Sequence, residues 1–213
     1  MEDFSTINTI NRQEKIKNFF INNKNKIISG IIILILILIG VYSYDKHIKN
    51  KQREISDNFN SITIDYNKDN KKSTANKLIE IVNKKNPTYS PLSLYFIIDN
   101  NLVTDQKEVN SLFDILIEKT SLDEEIKNLI IYKKALFNAD QIQEVDLLNM
   151  LNPLINSKSV WKSHALYLMA EYFYSGDQKE KAKEFFNQII SLENPNSDIR
   201  LQAEKRLNRD LSE

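Results

Sequence analysis

The sequence predicts an all-α protein, with one N-terminal transmembrane helix followed by a solenoid of about four degenerate helical hairpins and a C-terminal capping helix. Three observations carry that expectation. Residues 27–44 contain no charged side chain. Beyond them, apolar residues recur at helical spacing almost to the end of the chain. Gly (3) and Pro (4) are too scarce among 213 residues to supply the turns of an all-β fold.

Composition narrows the chemistry. An apolar fraction of 41% excludes general disorder, and 27% charged residues fit a solvated surface. With no cysteine, disulfides, thiolate nucleophiles and thiolate metal sites are all excluded. The net charge is zero but unevenly placed: residues 1–52 hold eight basic and four acidic side chains, leaving 21 and 25 for the remainder. A mildly acidic C-terminal part is a poor match for nucleic acid, which is held by neutralising phosphates.

In order along the chain, residues 1–26 read as a short basic cytoplasmic tail. Residues 27–44 (IISGIIILILILIGVYSY) follow as the membrane span. Eighteen helical residues reach about 27 Å, close to the hydrocarbon thickness of a bilayer. Tyr42 and Tyr44 fall where an interfacial aromatic belt would lie. A cleaved signal peptide is the rival, but the run ends in Tyr42, Ser43, Tyr44 and Asp45, not in an A-x-A-like site. Basic residues flank both ends, with Arg12, Lys15, Lys17, Lys24 and Lys26 before the span and Lys46, Lys49, Lys51 and Arg53 after it. That narrow bias favours the N-terminus inside and the long C-terminal part outside. Residues 45–55 form a juxtamembrane connector with no helix breaker, so the span is expected to run straight into the first hairpin.

Residues 56–195 are read as helical repeats near the 34-residue period of the tetratricopeptide unit, with frames starting at 56, 90, 128 and 163. The first frame sets Phe59, Ile62, Thr63 and Tyr66 on one helix and Ala75, Ile79 and Val82 on the next, with a turn at Lys68-Asp69-Asn70 and Pro87 at its end. The fourth sets Leu166, Met169, Ala170 and Phe173 against Ala182, Phe186 and Ile189, turning at Ser175-Gly176-Asp177, where Gly176 is expected to take a positive φ. The middle frames are degenerate: Phe96, Ile97, Val109, Phe113 and Leu116 in one, Ile131, Ala135, Leu147, Leu151 and Leu154 in the other. A plain bundle also places apolar residues at i, i+3 and i+4; the recurrence of Ala at the twentieth position favours repeats. Residues 196–213 close the stack as a capping helix, with Ser197 as its N-cap. Ile199, Ala203, Leu207 and Leu211 lie on its inner side and Arg200, Glu204, Arg206 and Arg209 on its outer side.

A basic N-terminal stretch, one span, degenerate tetratricopeptide hairpins and a cap, with the run His164 to Asp177 and the Ala182 helix as its clearest segments, resemble the YfgM-like family of ancillary Sec translocon subunits. The resemblance implies a bacterial inner-membrane protein with its C-terminal domain in the periplasm. It further implies a place beside the translocon and a membrane-anchored periplasmic chaperone, helping exported client chains to fold, with no catalytic residues.

The residues themselves show little chemistry. His47 and His164 lack a ligand pattern, no glycine-rich phosphate loop exists, and no Ser, His and Asp set suggests a nucleophile. The acidic run Asp123-Glu124-Glu125 suits a helix N-terminus. No cofactor, metal or small-molecule substrate is expected, and the chain is read as a protein-binding module rather than an enzyme. The inner wall of such a stack falls at template positions 2, 5, 9 and 12. These are Pro91, Leu94 and Ile98; Leu129, Tyr132, Leu136 and Ala139; and His164, Tyr167, Glu171 and Tyr174. This apolar and aromatic groove would suit hydrophobic peptide segments or a partner helix. The alternative from another class is a scaffold that coordinates envelope or division complexes without touching unfolded clients.

Overall fold

In the computed structural model, which describes residues 14–211, the protein is all-helical, and among the described residues there is no strand. The first part of the basic tail, with Arg12, and the last two residues of the cap segment lie outside this range. Two compact units divide the chain, Met1–Glu54 and Ile55–Glu213.

In the first unit, α1 covers residues 14–22 and the helix α2 (Lys24–Ile64) begins after Asn23. α2 is long and apolar enough to cross a membrane, and none of the apolar window along it is buried within the protein. A helix with apolar side chains all around and no protein against them has no stable place in water. The juxtamembrane residues 45–55 are helical without a break, and α2 continues to Ile64.

The second unit holds the last turns of α2, a 3-10 turn (Lys68–Asn70), and α3 (Lys71–Asn83), α4 (Tyr89–Asp99), α5 (Gln106–Lys119), α6 (Glu124–Asn138), α7 (Glu144–Ile155), α8 (Lys162–Ser175), α9 (Lys179–Ile190) and α10 (Ser197–Asp210). From α3 onward each helix packs on the next in sequence. α3 also meets α5, α6 meets α8, and α8 meets α10. The last turns of α2 join through side chains: Phe59 lies 5.6 Å from the Tyr89 ring, and Tyr89 Oη donates to Ser56 Oγ at 2.6 Å. Tyr66 stands edge-on to Phe96 at 5.5 Å.

The core is two clusters rather than one. The N-terminal cluster gathers Ile55, Ala75, Leu78, Val82, Leu94, Ile97, Val109, Phe113 and Leu116, and ends on Ile130 of α6. The C-terminal cluster starts from Ala135 of the same helix and gathers Leu147, Leu151, Leu154, Leu166, Met169, Phe173, Phe186 and Ile189. α6 therefore serves both, sending Ile130 to one side and Ala135 to the other. Of the frame positions, all seven of the fourth hairpin are buried, as are Ala75 and Val82 of the first, Ile97, Val109, Phe113 and Leu116 of the second, and Ala135, Leu147, Leu151 and Leu154 of the third.

The turns are made by local hydrogen bonds, with one correction. Asn67 caps the 3-10 turn by accepting from the amides of Asp69 and Asn70, while the Asn70 side chain accepts from the Asn67 amide. After α8 the left-handed residue is Asp177 (φ 57°), not Gly176, whose φ is −84°. The Asp177 amide reaches the Tyr174 carbonyl and the Gln178 amide the Phe173 carbonyl, a paired closure that puts the left-handed residue one place later than expected. Asp tolerates this conformation better than most side chains. The N-cap of α10 is also displaced by one: Asn196, rather than Ser197, accepts from the amides of Asp198 and Ile199.

Candidate protein-binding groove

The expected wall residues fall into four environments. Leu94 is fully buried in the N-terminal cluster and offers nothing to a partner; Pro91 beside it is buried too. α4 is apolar on nearly every side, so sequence position alone does not select its inward face. Ile98 is half-buried against the same cluster.

Tyr132 of α6 and His164 of α8 come together, with ring centroids 5.7 Å apart. Trp161, the residue before α8, completes the group, stacked on Tyr132 at 5.9 Å and tilted against His164 at 5.0 Å. Trp161 is held in turn by Glu125: its Nε1 donates to the Glu125 carbonyl, and Ser159 Oγ donates to Glu125 Oε2 at 2.8 Å. The sequence held a signal for this in its one tryptophan, set on the approach to the fourth hairpin. Burial raises the Tyr132 pKa and lowers that of His164, with the nearby Val160 carbonyl pulling His164 the other way. His164 Nδ1 is buried without a well-formed hydrogen bond.

Leu136 and Glu171, expected on the walls of neighbouring hairpins, line one open groove of about 510 Å³ between α6 and α8. Leu136 is 51% exposed, whereas Ala139 and Leu168 form a buried floor. Tyr172 fixes one edge by donating to the Ile142 carbonyl at 3.1 Å.

The fourth environment is the contact of α8 with α10. Arg206, expected on the outer side of the cap, is turned inward. Its Nε donates to Glu171 Oε1 at 2.8 Å, a second arm reaches Glu171 Oε2, and Nη1 donates to Asp210 at 2.8 Å. The guanidinium also lies over the Tyr174 ring at 4.7 Å. A carboxylate in the wall of a helix stack needs a partner once the cap covers it, and a planar two-armed guanidinium supplies one. The Arg209 and Arg206 guanidiniums hold the Asp210 carboxyl well below the usual carboxylate range. Burial, then Glu171, raises the Tyr167 pKa. Tyr167 packs edge-on to Phe186 of α9 at 5.5 Å, so it belongs to the C-terminal cluster more than to an open wall.

Among the described residues no three His, Cys, Asp or Glu side chains stand close enough to hold a metal ion. What the site offers is a groove of mixed character, with Leu136, Ala139, Ile142 and Leu168 beside Asp140, Glu171, Ser175 and Gln178. Comparison with protein-family models, curated proteins and solved structures finds no match. The fold therefore defines a class only: an all-helical protein with, among the described residues, one helix long and apolar enough to span a membrane.

Proposed function

We propose that the chain is a membrane-anchored protein-binding module of tetratricopeptide-like hairpins, acting as an accessory, chaperone-like factor beside the Sec translocon. The observation that carries the binding reading is the half-exposed Leu136 of α6, which opens onto the groove beside α8 over the buried Ala139 and Leu168. Apolar side chains held on rigid helices at a concave surface suit an extended apolar segment or a partner helix better than a small polar substrate. Anchoring supplies effective concentration at the membrane, not turnover. The translocon and the periplasmic placement rest on the resemblance in organisation, and the solenoid reading rests on the period and on neighbour-to-neighbour packing.

Site-specific photo-crosslinking in cells tests this, with the reactive side chain placed at Tyr132 and at Leu136. Adducts with translocon subunits, a membrane-anchored periplasmic chaperone or exported precursors are expected. Adducts confined to folded envelope or division proteins would favour the scaffold role instead, and adducts with cytoplasmic proteins alone would invert the topology and end the export reading.

A further inference from the structure

Helix α1, residues 14–22, carries an apolar face that none of the described residues covers: Ile16, Phe19 and Phe20 are 53%, 60% and 56% exposed. At ~100° per residue these three cluster within one third of the helix circumference. Asn18 falls on the opposite side, with Lys15 and Asn22 flanking the apolar face on one hand and Lys17 on the other. Ile21 lies outside the face and lines a shallow pocket with Phe20, Lys24 and Ile28.

The position of this face relative to the span is what identifies its occupant. Phe20 precedes Ile27 by seven residues, so on a straight helix it would stand about 10 Å beyond the start of the apolar run. Of the intervening residues Ile21 is apolar, and Asn22, Asn23, Lys24, Asn25 and Lys26 are all polar. A straight continuation would hold two phenylalanines and an isoleucine in water. The helix is interrupted at Asn23, and asparagine, weak as a helix former, stands on either side of Lys24. The Phe19 carbonyl accepts both the backbone amide and the side-chain amide of Asn23, so Asn23 can satisfy that carbonyl through its side chain when the backbone turns away.

We propose that α1 lies in the plane of the membrane interface, hinged at Asn23, with Ile16, Phe19 and Phe20 sunk among the lipid chains and Lys15, Lys17, Lys24 and Lys26 on anionic headgroups. The inference rests on the reading of α2 as a membrane span. Glu14 is the single acid among residues 14–26, so the surface matches an anionic leaflet better than a neutral one. A long lysine stem lets its charge stay at headgroup level while the helix body sits lower.

The chain has no cysteine, so single substitutions give single labels. The full chain carrying a nitroxide at Ile16→Cys, Asn18→Cys, Phe20→Cys, Asn22→Cys or Leu36→Cys is reconstituted into phosphatidylcholine vesicles containing phosphatidylglycerol. Its collision rates with oxygen and with a water-soluble nickel complex are then compared. Oxygen preference is expected to be several-fold higher at 16 and 20 than at 18 and 22, and to fall when phosphatidylglycerol is omitted or Lys15 and Lys17 are both changed to Gln. Equal water access at all four positions, with Leu36→Cys still in lipid, would overturn the interfacial helix and leave the span standing. Water access at position 36 would overturn the span itself. Spin–spin broadening at position 20 would also overturn the proposal, since a second copy of the chain would then be covering the face.

Discussion

The two core clusters bury their apolar side chains by different means. The C-terminal cluster brings helices together over small residues: Ala165 and Ala170 on α8, Ala182 on α9 and Ala203 on α10 are all fully buried. The N-terminal cluster has larger side chains at its centre (Leu94, Ile97, Phe113, Leu116) and locks its connections with polar groups. Ser90 Oγ donates to the Ile81 carbonyl and accepts from the Asn86 amide, each at 2.8 Å, and the Asn86 carboxamide takes the amides of Thr88 and Tyr89. The twentieth template position cuts across this division: it is Ala75 and Val109 in the N-terminal cluster, Ala182 and Leu147 in the C-terminal one, and every one is buried. A position that must be small where helices approach closely can be large where they stand apart, with the side chain filling the space.

The largest expected effect is loss of an aromatic from either cluster. Phe186→Ala and Phe113→Ala remove fully buried rings and are each expected to cost about 3–5 kcal/mol in urea unfolding of the detergent-solubilised chain. If the clusters meet only at α6, the two losses should add in the double variant to within about 0.5 kcal/mol. A clear departure from additivity would mean that the two clusters form one cooperative core.

The template position gives a sharper comparison. Ala182→Leu should destabilise by about 1–3 kcal/mol through overpacking. Leu147→Ala, at the equivalent place one hairpin earlier, should cost about 2–5 kcal/mol through a cavity. If Ala182→Leu leaves the melting temperature unchanged, close approach over Ala182 is not what distinguishes the fourth hairpin.

These contrasts also explain what the sequence reveals and what it hides. The fourth hairpin is legible because every template position is filled by alanine or a large apolar residue of the expected kind, and all seven are buried. The degenerate second hairpin still buries Val109, Phe113 and Leu116, since helical period alone places them. Leu94 is misread because α4 presents apolar residues in most directions and buries two serines, Ser90 and Ser93, which no hydrophobic pattern would choose. Arg206 is misread because a charged residue on a cap is expected outside, and only the carboxylate of Glu171, 35 residues away, draws it in. The Tyr132, Trp161 and His164 group depends on a connection between helices, whose path a periodic pattern does not describe.

Polar clamping within the N-terminal half is the next test. Asn138 is buried at the end of α6, accepts from Gln106 Nε2 and Asn110 Nδ2, and donates to Asn110 Oδ1 and the Lys134 carbonyl. Asn138→Ala strands the amides of α5 and should cost about 1–3 kcal/mol. Its effect should be seen as faster hydrogen exchange along α5 and not along α9. Equal acceleration of both helices would mean that this network does not belong to one side of the molecule.

The smallest expected effect is a response to pH, confined to the other side. Burial holds the His164 pKa below its ordinary value, so the unfolded chain binds a proton there more readily than the folded one. Its neutral form is favoured in the fold, and nothing is lost above the unfolded pKa. As pH falls through that value towards the folded one, protonation progressively favours opening. Hydrating the charged ring requires it to leave Tyr132 and Trp161, which pack edge-on and tilted against it. Between about pH 7.5 and about pH 5, hydrogen exchange is therefore expected to quicken in α8 while α3 and α4 stay unchanged. His164→Phe keeps an aromatic ring in the group and cannot titrate, so its α8 exchange should be insensitive to pH over the same range. If the variant responds as the native chain does, His164 does not govern the acid response, and the aromatic group is only packing.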